Sequence, residues 1–165
     1  MKRAERFNSI CRRYKVQLAF LYGSLAEAGH RYLLGKENAS DSDPHSDLDL
    51  GVVFMWGGAL SNVREKLRLY GHLSDDLSAL FSPFQLDLVF LEETDYLVQY
   101  EAIKGINVFK RSNITLADYK ERVLKYAVDW KFEMDRFHEE VRKAIREGQI
   151  VVSYTRVSHR GEELE

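Results

Sequence analysis

Cysteine is almost missing from this 165-residue chain. Cys11 stands alone, so neither an intrachain disulfide nor a thiolate metal cluster can form, and a reducing cytoplasm is the expected compartment. An excess of either charge is missing too: 24 Lys and Arg against 26 Asp and Glu leave a formal net charge of −2. That near-cancellation counts against a protein whose main task is to grip nucleic-acid backbone. Long apolar runs are absent. The N-terminal stretch from Met1 to Phe7 starts with charge and lacks the apolar segment of a signal peptide, and no later run could span a bilayer. A soluble, unsecreted protein without membrane contact is expected. Repeats and low-complexity tracts are missing, as are Gly-Lys-Ser/Thr phosphate loops, His-Glu-x-x-His zinc helices and Gly-x-Ser-x-Gly elbows.

What is present fits one globular domain over residues 1–165, with 45% apolar and 30% charged residues. Ala4, Phe7, Ile10, Cys11 and Tyr14 recur at helical spacing, which predicts an opening amphipathic helix. Val16 to Tyr22 reads as a strand broken by Gly23-Ser24. Residues 25–46, with two glycines, Pro44 and a run of small and acidic residues, have loop composition. Asp47 to Phe54 is a second strand. A helix capped by Ser61 follows, with Gly71 and Ser74-Asp75-Asp76 as points of interruption and Pro83 as its end. Phe84 to Leu91 is a third strand. Thr94 opens a helix to about Lys104, Asn107 to Lys110 forms a short edge strand, and Thr115 with Asp118 opens a long helix over about 115–147. Strands alternate with helices in the core, about 16–111.

Chemistry concentrates in three places. In Ser46-Asp47-Leu48-Asp49-Leu50-Gly51, alternate strand residues share a face, so Asp47 and Asp49 point one way and Leu48, Leu50 and Val52 the other. Two like charges aimed together repel unless a cation lies between them, and hard oxygen ligands suit Mg²⁺ or Mn²⁺. The alternative is an exposed edge whose aspartates are simply solvated. Asp87 is the sole charge in Phe84-Gln85-Leu86-Asp87-Leu88-Val89-Phe90-Leu91. Buried, it needs a cation, a hydrogen-bond network or a wet cleft; on a one-sided sheet it needs only water. If the strands of Asp47 and Asp87 are neighbours in register, all three carboxylates converge. Leu21-Tyr22-Gly23-Ser24 runs from a strand into a Gly-Ser turn, which is either an ordinary turn or a phosphate cradle of amides and a hydroxyl. Cys11 is expected to be a small buried residue, His138 to be solvated, and the stripe Tyr119, Tyr126, Trp130, Phe137 to pack against the core or a partner.

The order strand, Gly-Ser, helix, strand with Asp-x-Asp, helix, strand with one Asp resembles the minimal nucleotidyltransferase (MNT) branch of the DNA polymerase beta-like superfamily, over roughly Val16 to Arg111. Tyr100 to Phe109 resembles the family's helix, glycine and short strand. The resemblance implies an α+β nucleotidyltransferase fold: a small mixed β-sheet flanked by helices, with a long C-terminal helix. It implies two Mg²⁺ ions, with Mn²⁺ as the substitute, held by Asp47, Asp49 and Asp87, and Gly23 and Ser24 on the β and γ phosphates of an NTP, ATP by expectation. The implied reaction moves AMP to a hydroxyl. Small members resemble MntA-type antitoxins encoded beside an all-helical HEPN toxin, some of which add AMP to a toxin tyrosine, so a HEPN-type partner is expected. An aminoglycoside-type nucleotidyltransferase and an inactive antitoxin that acts by contact alone are the alternatives, and the long helix leaves room for an oligomer. Two departures stand out. The 22 residues between Ser24 and Asp47 exceed the family's usual connection, and Leu25-Ala26-Glu27 stands where an arginine is common. Phosphate contacts must then come from elsewhere, with His30, Arg31 and Lys36 as candidates.

Overall fold

The computed structural model describes residues 2–36, 46–54 and 62–149. The chain divides into two compact units, Met1–Ala127 and Val128–Glu165. In chain order the elements are α1 (Arg3–Arg13), β1 (Val16–Tyr22), α2 (Ala26–Leu33), β2 (Leu48–Phe54), α3 (Val63–Phe81), β3 (Leu86–Phe90), a 3₁₀ turn (Leu91–Glu93), α4 (Tyr96–Lys104), β4 (Ile106–Lys110) and α5 (Asn113–Arg146). The four strands form one mixed sheet in the order β3-β2-β1-β4, antiparallel at β1/β2 and β1/β4 and parallel at β2/β3. The expected α+β class, with a small mixed sheet flanked by helices and a long C-terminal helix, is what the first unit and α5 present.

Alternation along the strands divides the apolar side chains between two faces. Ala19, Leu21, Leu48, Leu50, Val52 and Leu88 pack with Phe7, Cys11, Leu33, Leu73, Leu77 and Phe81 of α1, α2 and α3. Leu18, Phe20 and Val53 pack on the other side with Leu91, Ala102, Ile103, Tyr119 and Val123. The second layer is stitched by polar bonds in its interior: the Tyr119 hydroxyl donates to Gln99 Oε1 at 3.0 Å, and Gln99 Nε2 donates to the Thr94 carbonyl at 3.0 Å. Gly51 offers the space that Leu91 fills, since a Cβ there would crowd the Leu91 side chain at 2.8 Å.

Several local expectations are corrected. Residues 25–46 were expected to be loop, yet 26–33 form α2. Gly29, which reads as a breaker, is the residue that lets this helix lie against β2, because a Cβ on it would press into Leu48. Tyr32 and Leu33 are buried by that approach. α3 passes through Gly71 and Ser74-Asp75-Asp76 without a break. Asn62 caps it, accepting from the Arg64 amide, while Ser61 lies outside the described residues, as do residues 37–45 of the expected loop. Asp95, not Thr94, caps α4 by accepting from the amides of Leu97 and Val98; the Thr94 hydroxyl instead closes the 3₁₀ turn onto the Leu91 carbonyl. α5 begins one turn fraction earlier than Thr115, with Ser112 Oγ accepting the Thr115 amide. Within the second unit, α5 residues pair along the helix, Arg136 with Glu133 and Arg142 with Glu139, and Phe137 and His138 are exposed. Among the described residues no helix is long and apolar enough to cross a membrane.

Candidate active site

β1 ends where β2 and β3 begin, so one edge of the sheet gathers the residues singled out above. Register completes the arrangement. Tyr22 is the partner of Asp49 across β1 and β2, and Asp49 is the partner of Asp87 across β2 and β3. Tyr22, Asp49 and Asp87 therefore form a row across three strands spaced about 4.8 Å apart, all on the face that α4 covers farther along. Asp47, two residues before Asp49 and just ahead of β2, follows by alternation. β2 and β3 are adjacent and in register, which sets Asp49 beside Asp87.

Electrostatics records their proximity. The Asp49 carboxyl is raised above its ordinary range, first by partial burial and then by repulsion from Asp87 and Asp47. The Tyr22 phenol is pushed up to about 12 by burial, with Asp49 and Asp87 adding to the shift. Among the described residues no three carboxylate, histidine or cysteine side chains are already drawn close enough to hold an ion. The donor set nonetheless fits a hard divalent cation: oxygen ligands only, on one face, with a charge repulsion that such a cation would reverse.

The Gly-Ser turn joins this edge by a steric device. Gly23 has φ +73°, in the left-handed region, and a Cβ placed on it would overlap Asp49 Oδ2. The carboxylate thus occupies the space that any other residue would fill with its own side chain. Ser24 follows, exposed, and α2 starts at Ala26 with its first turn toward the same edge. His30, Arg31 and Lys36 lie in the last turn of α2 and beyond its cap; at about 1.5 Å of rise per residue the helix carries Arg31 about 9 Å along its axis from Leu25. Cys11 is buried, its thiol pushed up to about 12 by that burial, so it is an inert packing group. A cleft of about 700 Å³ at the opposite end of the same face, between Gln17, Val53, Glu92, Gln99, Asp118 and Arg122, is lined by none of Asp47, Asp49 and Asp87.

The sequence profile described as Polymerase beta, Nucleotidyltransferase matches residues 5–114, two-thirds of the chain and all four strands. The chain belongs to this nucleotidyltransferase family. No curated protein matches it. Among solved structures, a chain of a toxin-antitoxin MntA-HpeT mutant superimposes with a TM-score of 0.60 at 14% identity, covering 84% of this chain and 98% of that one. A toxin-antitoxin with AMP-PNP follows at 0.56 and 15% identity, covering 84% and 98%. A complex of tri-AMPylated Shewanella oneidensis HEPN toxin with MNT antitoxin gives 0.55 and 13%, covering 85% and 96%. At such identities the likeness is one of fold.

For a nucleotidyltransferase, the residue that sequence reasoning left unexamined is Tyr22. It was visible only as the strand residue before Gly23; its place beside Asp49 depends on a register that no local pattern announces. In this nucleotidyltransferase Gly105 backs it, since a Cβ there would meet the Leu21 carbonyl and the Tyr22 Cβ.

Proposed function

We propose that the chain is a metal-dependent nucleotidyltransferase that moves AMP from ATP to a hydroxyl of a protein, a tyrosine of a HEPN-type toxin, and so acts as its antitoxin. The observation that carries the reading is the row Asp49–Asp87 in register, with Asp47 on the same face and Gly23-Ser24 against it. The fold neighbours add to it, one being a complex with AMP-PNP and another containing an AMPylated HEPN toxin beside an MNT antitoxin.

In this reading Asp47, Asp49 and Asp87 would hold Mg²⁺, and the bound ion would supply neutralisation of the phosphate charge. The chain's own groups position the reactants. Ser24 and the amides at the start of α2 bind the terminal phosphates, where unpaired N–H groups and the helix dipole favour anions. The acceptor hydroxyl oxygen forms a bond to the α-phosphorus, the bond from that phosphorus to its β-bridging oxygen breaks, pyrophosphate leaves, and the hydroxyl proton passes to Asp87 at the sheet edge. Most of the rate comes from orientation and charge placement.

The test is transfer of label from α-labelled ATP, with Mg²⁺, to the purified product of a neighbouring gene that encodes a HEPN protein. Wild type should label it on tyrosine, and Asp47→Asn and Asp49→Asn should each cut the rate by at least about 100-fold. Equal labelling by both variants would overturn the site assignment.

A further inference from the structure

Phosphate oxygens accept hydrogen bonds, and so do ionised carboxylates. A nucleotide held over Asp47, Asp49 and Asp87 therefore needs donors from the groups around them. Leu25-Ala26-Glu27, directly after Ser24, offers no cation, and α2 carries His30, Arg31 and Lys36 away from the row. One side chain on the row itself is a donor. Tyr22 stands beside Asp49, on the flank opposite Asp87 and next to Gly23-Ser24.

We propose that the Tyr22 hydroxyl is a nucleotide-binding group, donating a hydrogen bond to a phosphate oxygen of the bound NTP on the β1 side of Asp49. The inference rests on the nucleotidyltransferase reading of the site and adds a residue to it. Three observations converge. Tyr22 is half-buried and packs at the margin of the α4 layer, with Gly105 seated behind its Cβ, so the base of the side chain is held; among the described residues no unpartnered side-chain polar atom is fully buried, this hydroxyl included. Its hydroxyl has no hydrogen-bond partner among the described residues, unlike Tyr119 and Tyr14, whose hydroxyls donate to Gln99 and Asp76. Its neighbour Gly23 gives up its Cβ position to Asp49, so the carboxylate that is Tyr22's partner across β1 and β2 also lies against the Gly-Ser turn. A neutral donor there does what a fourth acid could not: it binds the anion without drawing on the metal.

The experiment is calorimetric titration of the full chain with AMP-PNP in Mg²⁺, repeated with inorganic tripolyphosphate. Tyr22→Phe keeps the ring and should melt as wild type does, yet raise the Kd for both probes about tenfold, the scale of one hydrogen bond to a charged group. Tyr126→Phe, exposed on α5 and stacked on Tyr96, should stay within about twofold for both. Binding of AMP-PNP by Tyr22→Phe within about twofold of wild type overturns the proposal. Weakened AMP-PNP binding with unchanged tripolyphosphate binding also overturns it, because the contact would then lie on the nucleoside. Failure of the underlying reading looks different. Wild type that binds AMP-PNP no better with Mg²⁺ than without, or Asp49→Asn that binds as wild type does, removes the site and the inference together.

Discussion

Gly23→Ala, set against Gly35→Ala, separates two costs that usually arrive together. At φ +73° an alanine pays for a left-handed backbone, about 1 kcal/mol, and its methyl must also displace the Asp49 carboxylate. Forcing a methyl into an occupied space costs a further 1–3 kcal/mol or so. Gly35 is the internal control: its φ is also +73°, but none of the described residues lies within 4 Å of where its Cβ would be. Gly35→Ala should therefore lose about 1 kcal/mol, or about 3 °C in Tm, with nucleotide binding intact. Gly23→Ala should lose roughly 2–4 kcal/mol, about 6–12 °C, and weaken Mg²⁺-dependent AMP-PNP binding about 100-fold, since shifting a positioned carboxylate by about 1 Å has effects on that scale. Thermal melts and calorimetry on the two variants measure both quantities. If the two proteins melt within about 1 °C of each other and both bind AMP-PNP as wild type does, the claim that Gly23 makes room for Asp49 is refuted.

Other variants test other parts of the fold. Asp49 has a folded pKa above its unfolded value of 3.8, so its contribution is stabilising below that value and is lost as pH rises through the raised pKa. Asp49→Asn should consequently melt higher than wild type at pH 7 without metal, by at most about 1 kcal/mol because solvent screens a partly exposed carboxylate, and the gain should shrink as pH falls toward 4; a variant less stable than wild type at pH 7 would contradict this. Gly29→Ala would gain about 1 kcal/mol if helix propensity decided the matter. Because its methyl would press into Leu48, a loss of about 1–2 kcal/mol in denaturant unfolding is expected instead. Gln99→Leu strips the Tyr119 hydroxyl of its acceptor inside the α4 layer and should cost about 2 kcal/mol, visible as a lower urea midpoint at unchanged slope.

The strands bearing the aspartates were legible because alternation of apolar and acidic residues survives in a single sequence. So was the pairing of Asp47 with Asp49 on one face. What alternation cannot show is which strand lies beside which. Asp87 joined Asp49, and Tyr22 joined both, only once β2 was found between β1 and β3 with its register set. α2 escaped for a different reason: Gly29 was weighed by its backbone freedom, whereas its use is the absence of a side chain facing Leu48. The caps moved by one to three residues because Thr94, Asp95, Ser112 and Thr115 all have side chains able to cap, and only their distances to particular amides choose among them.

The notch at Gly51 sets a tolerance on the chemistry two residues upstream. Leu91 plugs it from the turn that follows β3, so β2 and β3 are keyed to each other by a peg and socket that contain no polar atom. Sliding one strand along the other would drag the peg out of the socket, and the span between Asp49 and Asp87 is gauged by that joint as much as by the backbone ladder. The spacing of Asp49 and Asp87 is thus specified by a leucine and a glycine that stand apart from both carboxylates, and residues 51 and 91 can change only as a pair if that spacing is to be kept.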